Sequence, residues 1–261
     1  MIRAAATAQR EQRVFSHQSA AALWGLPNIG PWPDDVHLLV PKTTGGRSDP
    51  GVRRHALGVD DRDVTVIDGI AVTTLARTLV DLAATSPVYS AVAALDAAFF
   101  TPRFGSGPLI TRDAVLDQWD RQGPFRGFRR AHRLIEFAET GAASPSESGS
   151  RVTMAVLGFP APELQHHFLV DGGDAWTDFF WESVRGVGEC DGETKYEDPE
   201  FLRGRSVAEV VRAEKRREDA IRRQVRGFQR WGSAEAFSPR ALRPQLLELG
   251  LVPGVPRLRG R

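Results

Sequence analysis

Asp178, Glu189 and Asp191 stand where carboxylates are expensive. Asp178 sits among Trp176, Phe179, Phe180 and Trp181, and Glu189 and Asp191 flank Cys190 just before Gly192. An acid inside an apolar strand costs several kcal/mol, of order ~2–7, unless a cation or hydrogen bonds satisfy it. A divalent metal ion is the usual cation for oxygen ligands at this density. Glu147, near the start of a helix pattern, joins Asp178 and Glu189 as the three acids at inner positions. These residue types point to metal-assisted chemistry. The plainer alternative is that Asp191-Gly192 is a turn and Glu147 a helix-start acid favoured by the dipole.

Charge is segregated around this stretch. Residues 159–200 hold eleven acids against Arg185 and Lys195, whereas residues 201–231 hold ten bases against four acids. An acidic pocket beside a basic helix suits a metal site next to a polyanion. Two mutually attracting solvated faces would give the same pattern. On a helix from Val207 to Arg226, Arg212, Lys215, Arg216 and Arg222 share a face and could hold a phosphate backbone. Arg126, Arg129, Arg130 and Arg133 form a second basic stripe at helical spacing, either a DNA contact or a solvated face.

Composition excludes several classes. The net charge is +1 over 261 residues, with one cysteine. A single cysteine rules out an internal disulfide framework and a multi-cysteine zinc site, and it fits a reducing, cytoplasmic setting. There is no apolar run of about eighteen residues, so no membrane partner is expected. The first ten residues lack the apolar core of a signal peptide. His166 and His167 are strand neighbours that point to opposite faces, which suits a rim better than a ligand pair. Cys190, between acids, reads as a buried, inert thiol.

The elements that must position these residues form an α+β chain. A Ser-capped helix over 16–25 precedes strands at 36–40, 51–57, 63–67 and 70–72. Asp68-Gly69 marks a hairpin. Thr73-Thr74 caps an amphipathic helix, Leu75 to Ala84, with Leu75, Leu79 and Leu82 on one face. Helices are expected over 89–100, 112–121 and 125–140. Gly141-Ala142-Ala143-Ser144-Pro145-Ser146 marks a boundary between domains at 1–140 and 144–250. The second domain reads helix, three strands, helix, strand, with hairpin turns at 171–174 and between the acid-bearing strands. Residues 251–261 read as a disordered basic tail.

That order of elements and acids resembles the PD-(D/E)xK nuclease superfamily, and among it the domains related to very-short-patch-repair endonucleases. The features are Ser-Pro-Ser-Glu-Ser (144–148), Thr-Asp-Phe (177–179), Gly-Glu-Cys-Asp-Gly (188–192), Ala-Glu-Lys-Arg-Arg-Glu-Asp-Ala-Ile-Arg (213–222) and Gly-Phe-Gln-Arg-Trp (227–231). The resemblance implies a restriction-endonuclease-like α-β-β-β-α-β core. It also implies Mg²⁺ or Mn²⁺ held by Glu147, Asp178 and Glu189, and hydrolysis of DNA phosphodiesters. The Lys usual two residues after Glu189 is replaced by Asp191, and members of this subgroup often carry Asp-Gly there. Asp191, Lys195 and Lys215 then complete the expected catalytic set.

The N-terminal half resembles AbiEi-type antitoxins of abortive-infection toxin–antitoxin systems. The matching segments are Phe-Ser-His-Gln-Ser-Ala-Ala-Ala-Leu-Trp-Gly-Leu-Pro (15–27) and Asp-Gly-Ile-Ala-Val-Thr-Thr-Leu-Ala-Arg-Thr-Leu-Val-Asp-Leu-Ala (68–83). This implies a DNA-binding antitoxin or transcriptional regulator with a cognate toxin as partner. Two readings therefore stand: a Mg²⁺-dependent nuclease-like enzyme, or a non-catalytic regulator.

Overall fold

A computed structural model describes residues 13–103, 105–170, 173–191 and 207–259. The chain has a mixed α/β fold and divides into two compact units, Met1–Thr140 and Gly141–Arg261.

In the first unit, β1 (Val14–Phe15), α1 (His17–Leu23), β2 (Val36–Leu39), β3 (Val52–His55), β4 (Val64–Ile67) and β5 (Ile70–Thr73) come first. The strands make one sheet in the order β3-β2-β1-β5-β4. The two-residue β1 joins its halves, antiparallel to β2 and parallel to β5. The β4–β5 hairpin turns on Asp68 and Gly69, both with positive φ (+49° and +78°). A two-residue turn that matches strand twist needs φ > 0 at both positions, which Asp tolerates and Gly favours. Phe15, Ala20, Val36, Leu38, Ile70 and Val72 form the core of this sheet.

Four helices follow: α2 (Leu75–Thr85), α3 (Val88–Phe99), α4 (Arg112–Gln122) and α5 (Phe128–Phe137). Thr74 caps α2 by accepting from the Arg77 N–H, and Leu75, Leu79 and Leu82 are buried on its inner face. Ala91, Ala93, Ala94 and Ala98 make α3 thin enough to be almost wholly buried. Arg130 on α5 donates to the carbonyls of Ala83 and Ser86 (2.6 Å to the latter). It thus satisfies the open end of α2, where a cation suits the dipole.

The second unit runs α6 (Pro145–Leu157), β6 (Glu163–Val170), β7 (Gly173–Trp181), β8 (Gly186–Asp191), α7 (Val207–Arg222), β9 (Gly227–Gly232), α8 (Ser233–Ala236) and α9 (Pro239–Glu248). Its sheet order is β6-β7-β8-β9, antiparallel up to β8 and parallel between β8 and β9. A parallel pair needs a crossover connection, and α7 lies in it. Helices cover both faces. Phe179, Trp181, Cys190 and Trp231 pack with Met154 of α6 and Leu242 and Leu246 of α9. Phe168, Phe180, Val187 and Phe228 pack on Ile221 of α7. A Cβ on Gly188 would overlap the Trp231 ring, so glycine is what lets that indole lie flat on β8. The Trp231 indole N–H then donates to Ser150 at 2.9 Å.

The structure adds one helix and corrects one expectation. The region before the last residues contains α9, started by Ser238, which accepts from the Ala241 N–H, and by Pro239 in the first turn. The segment from Leu251 to Arg259 is not a free tail. Leu251 is in the core, Gly254 N–H donates to Gly158 O at 2.8 Å, and Arg257 N–H donates to Ala155 O at 2.9 Å. The open carbonyls at the end of α6 recruit it. Lys195, the Asp171-Gly172 part of the expected turn and residues 260–261 lie outside the described residues.

Candidate functional site

Alternation along β8 turns Val187 and Glu189 toward α7 and Cys190 toward α6. Glu189 pairs in register with Arg230 on β9. On the neighbouring helix, Glu214 and Arg217 are three residues apart and share the inward face. The result is a compact ionic cluster. Arg217 Nη2 donates to Glu189 Oε1 and to Glu214 Oε1, each at 2.7 Å, and its Nη1 donates to the Trp176 carbonyl at 3.0 Å. Arg230 Nη2 donates to Glu189 Oε2 at 2.6 Å and to Glu214 Oε1 at 3.0 Å. Arg230 also pairs with Glu218 at 3.2 Å and Asp191 at 3.4 Å. Burial alone would lower the pKa of both guanidiniums, but the carboxylates outweigh it and hold both above the ordinary arginine value. Burial likewise pushes Glu214 up, and its bonds to Arg217 and Arg230 outweigh that and hold it below the carboxylate range. Four carboxylates (Glu189, Asp191, Glu214, Glu218) against three guanidiniums (Arg217, Arg230 and Arg222, the last on Glu218) leave a formal charge of −1.

The other two expected ligands are engaged elsewhere. Asp178 lies one step beyond the Phe179↔Gly188 pair, and its Oδ2 accepts the Cys190 backbone N–H at 2.8 Å. Glu147 helps to cap the start of α6, whose N-cap is Ser144. Its N–H goes to the Ser144 hydroxyl, while its carboxylate accepts from that hydroxyl and from the Ala143 N–H, both at 2.9 Å. This is the helix-start role.

Among the described residues, Glu147, Asp178 and Glu189 do not bring ligand oxygens within 4.8 Å of one another. Both oxygens of Glu189 already hold cations. This arrangement therefore does not fit a shared Mg²⁺ or Mn²⁺ ion. Asp191 is exposed and bound loosely to Arg230. Lys215 is exposed on the outer side of α7, about 200° around the helix from Arg217, so it does not join the acids.

The outer side of α7 carries the exposed bases. Arg212, Lys215, Arg216, Arg222, Arg223 and Arg226 are exposed there and in the following turn. Arg222 is committed to Glu218 at 2.7 Å and lies 4.3 Å over the Phe228 ring. Arg212, Lys215 and Arg216 form no ion pair with the described residues. In the first unit, Arg126, Arg129 and Arg133 are exposed, whereas Arg130 is the structural cap of α2.

Cys190 is buried among Asp178, Glu147 and Asp191. Burial comes first among the causes that push its thiol up to about 12, so it is inert at neutral pH. His166 pairs with Glu163 and His167 with Asp174, toward the edge of the sheet.

Sequence reasoning missed Arg217 and Arg230 as the partners of Glu189. The Glu214/Arg217 spacing was a usable signal; the β8–β9 register was not. It also missed a cluster in the first unit. His17, His37 and His55, from α1, β2 and β3, bring ring nitrogens within 4.8 Å of one another.

No family model matches the chain, and no solved structure matches it. Uncharacterized proteins of two Mycobacterium tuberculosis strains are 33% identical to it in an alignment of 201 residues that covers 74% of this chain. The chain covers 65% of the length of those relatives. No helix among the described residues is long and apolar enough to cross a membrane.

Proposed function

We propose that the second unit is a nuclease-like module that binds nucleic acid without cutting it, and that the chain acts as a cytoplasmic, antitoxin-type DNA-binding regulator with a cognate toxin as its second partner. The observation that carries the non-catalytic part is the occupation of both Glu189 oxygens by Arg217 and Arg230. The carboxylate that would anchor a metal is neutralised by the protein itself. The binding part rests on the outer side of α7, where Arg212, Lys215 and Arg216 remain available to phosphates. The antitoxin and toxin terms rest on the resemblance of residues 15–27 and 68–83.

The test is one preparation assayed two ways. Purified protein should leave plasmid DNA and RNA intact with millimolar Mg²⁺ or Mn²⁺. It should shift a fluorescent DNA duplex with an affinity that falls steeply with salt, because each neutralised phosphate contributes a slope of about 0.9. Replacing Arg212, Lys215 and Arg216 together with Ala should flatten that slope by roughly two to three. An unchanged slope moves the contacts elsewhere, first to Arg126, Arg129 and Arg133.

A second reading, Mg²⁺-dependent phosphodiester hydrolysis, is favoured by the α-β-β-β-α-β order and by the position of Asp178 next to the last paired step of β7 and β8. It requires Arg217 to release Glu189. Nicking that disappears in both Asp178→Ala and Glu189→Ala would establish it over the regulator.

A further inference from the structure

We propose that His17, His37 and His55 bind one divalent transition-metal ion of the Zn²⁺ class within the first unit. The site is separate from the acids of the second unit and does not depend on the reading of them. Its three donors come from three elements that the sheet brings together: α1, β2 and its parallel neighbour β3. His55 Nε2 and His37 Nδ1 are 3.1 Å apart. Two nitrogens on one tetrahedral Zn²⁺, each at about 2.0–2.1 Å, lie roughly 3.3 Å apart, so a small adjustment admits the ion between them. The ring that now donates in that pair would move its proton to its other nitrogen.

The third ring supplies the independent observation. His17 is 1% exposed, and its Nε2 is buried with no hydrogen-bond partner. Its Nδ1 lies 3.1 Å from the Ser16 hydroxyl and 3.9 Å from the Asp81 carboxylate. That side favours the Nδ1–H tautomer and leaves a bare lone pair on Nε2, the form a metal takes. The Ser16 hydroxyl is the outer-shell acceptor that fixes this tautomer, and the Asp81 carboxylate lies beyond hydrogen-bond distance behind it. Arg77 holds Asp81 in place at 3.0 Å. His17 stacks on His55 with ring centres 3.6 Å and planes 13° apart, so one of the two rings must tilt for both lone pairs to meet one ion, and the His17 backbone sits in the left-handed region at φ +49°. Such a conformation costs of order 1–3 kcal/mol and persists where the surroundings over-determine it.

Burial lowers the pKa of all three rings, His37 and His55 to about 4. They are neutral at pH 7 and need shed no proton to bind. An all-imidazole donor set disfavours Mg²⁺ and Ca²⁺ and suits Zn²⁺, Co²⁺ or Ni²⁺. Three protein ligands leave the fourth position of a tetrahedral ion to water or another small donor.

The full chain, dialysed against chelator, should be titrated with Zn²⁺ alone by calorimetry and with Co²⁺ by visible absorption. One ion per chain is expected, with a tetrahedral Co²⁺ band and a higher melting temperature, since the ion binds only the folded state. His37→Ala and His55→Ala should each weaken binding at least tenfold. A His166→Ala/His167→Ala double variant should bind as the wild type does. If the histidine variants fail to fold, the wild-type Co²⁺ spectrum decides. No band, no stoichiometric ion, or binding abolished only in the His166/His167 variant overturns the proposal.

Discussion

Glu189 on β8 and Arg230 on β9 are register partners whose side chains meet at 2.6 Å. With Arg217 on the other oxygen, Glu189 closes the ionic cluster between sheet and helix. Glu189→Ala would leave two half-buried guanidiniums short of a partner. We expect a loss of about 1–3 kcal/mol, below the range for a fully buried pair because both arginines keep some solvent. Urea denaturation with and without Mg²⁺ measures it. If Glu189 instead repels neighbouring acids in the metal-free protein, the same change would stabilise, so the sign separates the two readings.

A second network is buried more deeply. Arg77 donates to Asp63 at 2.7 Å and to Asp81 at 3.0 Å, and all three side chains are no more than 6% exposed. Arg77→Met should cost about 3–5 kcal/mol, because it strands the buried Asp81 carboxylate, while Asp63 keeps Arg121 and Gln118. Burial already raises Asp81 to about 6 against the pull of Arg77. Protonating it at acid pH removes the stranded charge. The penalty measured at pH 5 should therefore be smaller than at pH 8.

Acid should loosen the first unit before the rest of the chain. The folded pKa values of His37 and His55, about 4, lie below the ordinary 6.5. Between those values the unfolded chain binds more protons, so stability is complete above pH 6.5 and falls as pH drops through about 4. Arg53 adds to the lowering, Asp35 opposes it at His37, and Arg77 acts with burial on His17. Asp81 works the other way, gaining stability from pH 6 downward, but it is one group against three. Hydrogen exchange should show amides of β2 and β3 losing protection between pH 6.5 and 4. His37→Phe should blunt that loss.

Gly188→Ala should be disproportionately harmful for a single methyl. Its Cβ would run into the Trp231 ring, with Trp181 close behind. Overpacking of this kind costs about 1–3 kcal/mol. A lowered melting temperature with a blue-shifted or broadened tryptophan signal is the expected outcome; an unchanged melting curve would mean that the indole has room to move.

Local signals in the sequence were enough for most elements. Asp68-Gly69 specifies its hairpin by backbone conformation alone, and Thr74 with Leu75, Leu79 and Leu82 specifies a capped, one-sided helix. Ser144 and Glu147 announce the start of α6, and the same pattern explains why Glu147 caps rather than ligates. What was not legible depends on register between distant segments. Nothing near Glu189 says that Arg230 will be its neighbour, since that follows from a parallel crossover. The three histidines are 20 and 18 residues apart, and only the pairing of β2 with β3 and the placement of α1 make them one cluster. Val14–Phe15 is too short to show a period, although it ties the first sheet together. Helix α9 carries two prolines: Pro239 stands in the first turn, where proline is tolerated, and Pro244 lies inside the helix.

The strap from Leu251 to Arg257 has a consequence for how the protein is made. Helix α6 completes its packing only with Leu242, Leu246 and Leu251, and its last carbonyls are met by Gly254 and Arg257. Those residues leave the ribosome roughly ninety positions after α6 does, which at about 5–20 residues per second is a wait of roughly 5–20 s. The first unit can close on itself in that interval. The second cannot, and during the delay α6, the Trp- and Phe-bearing strand β7 and its neighbour β8 present their apolar faces to the cell. Chaperone capture of nascent chains should accordingly concentrate on residues 145–190 and end abruptly once the strap is released.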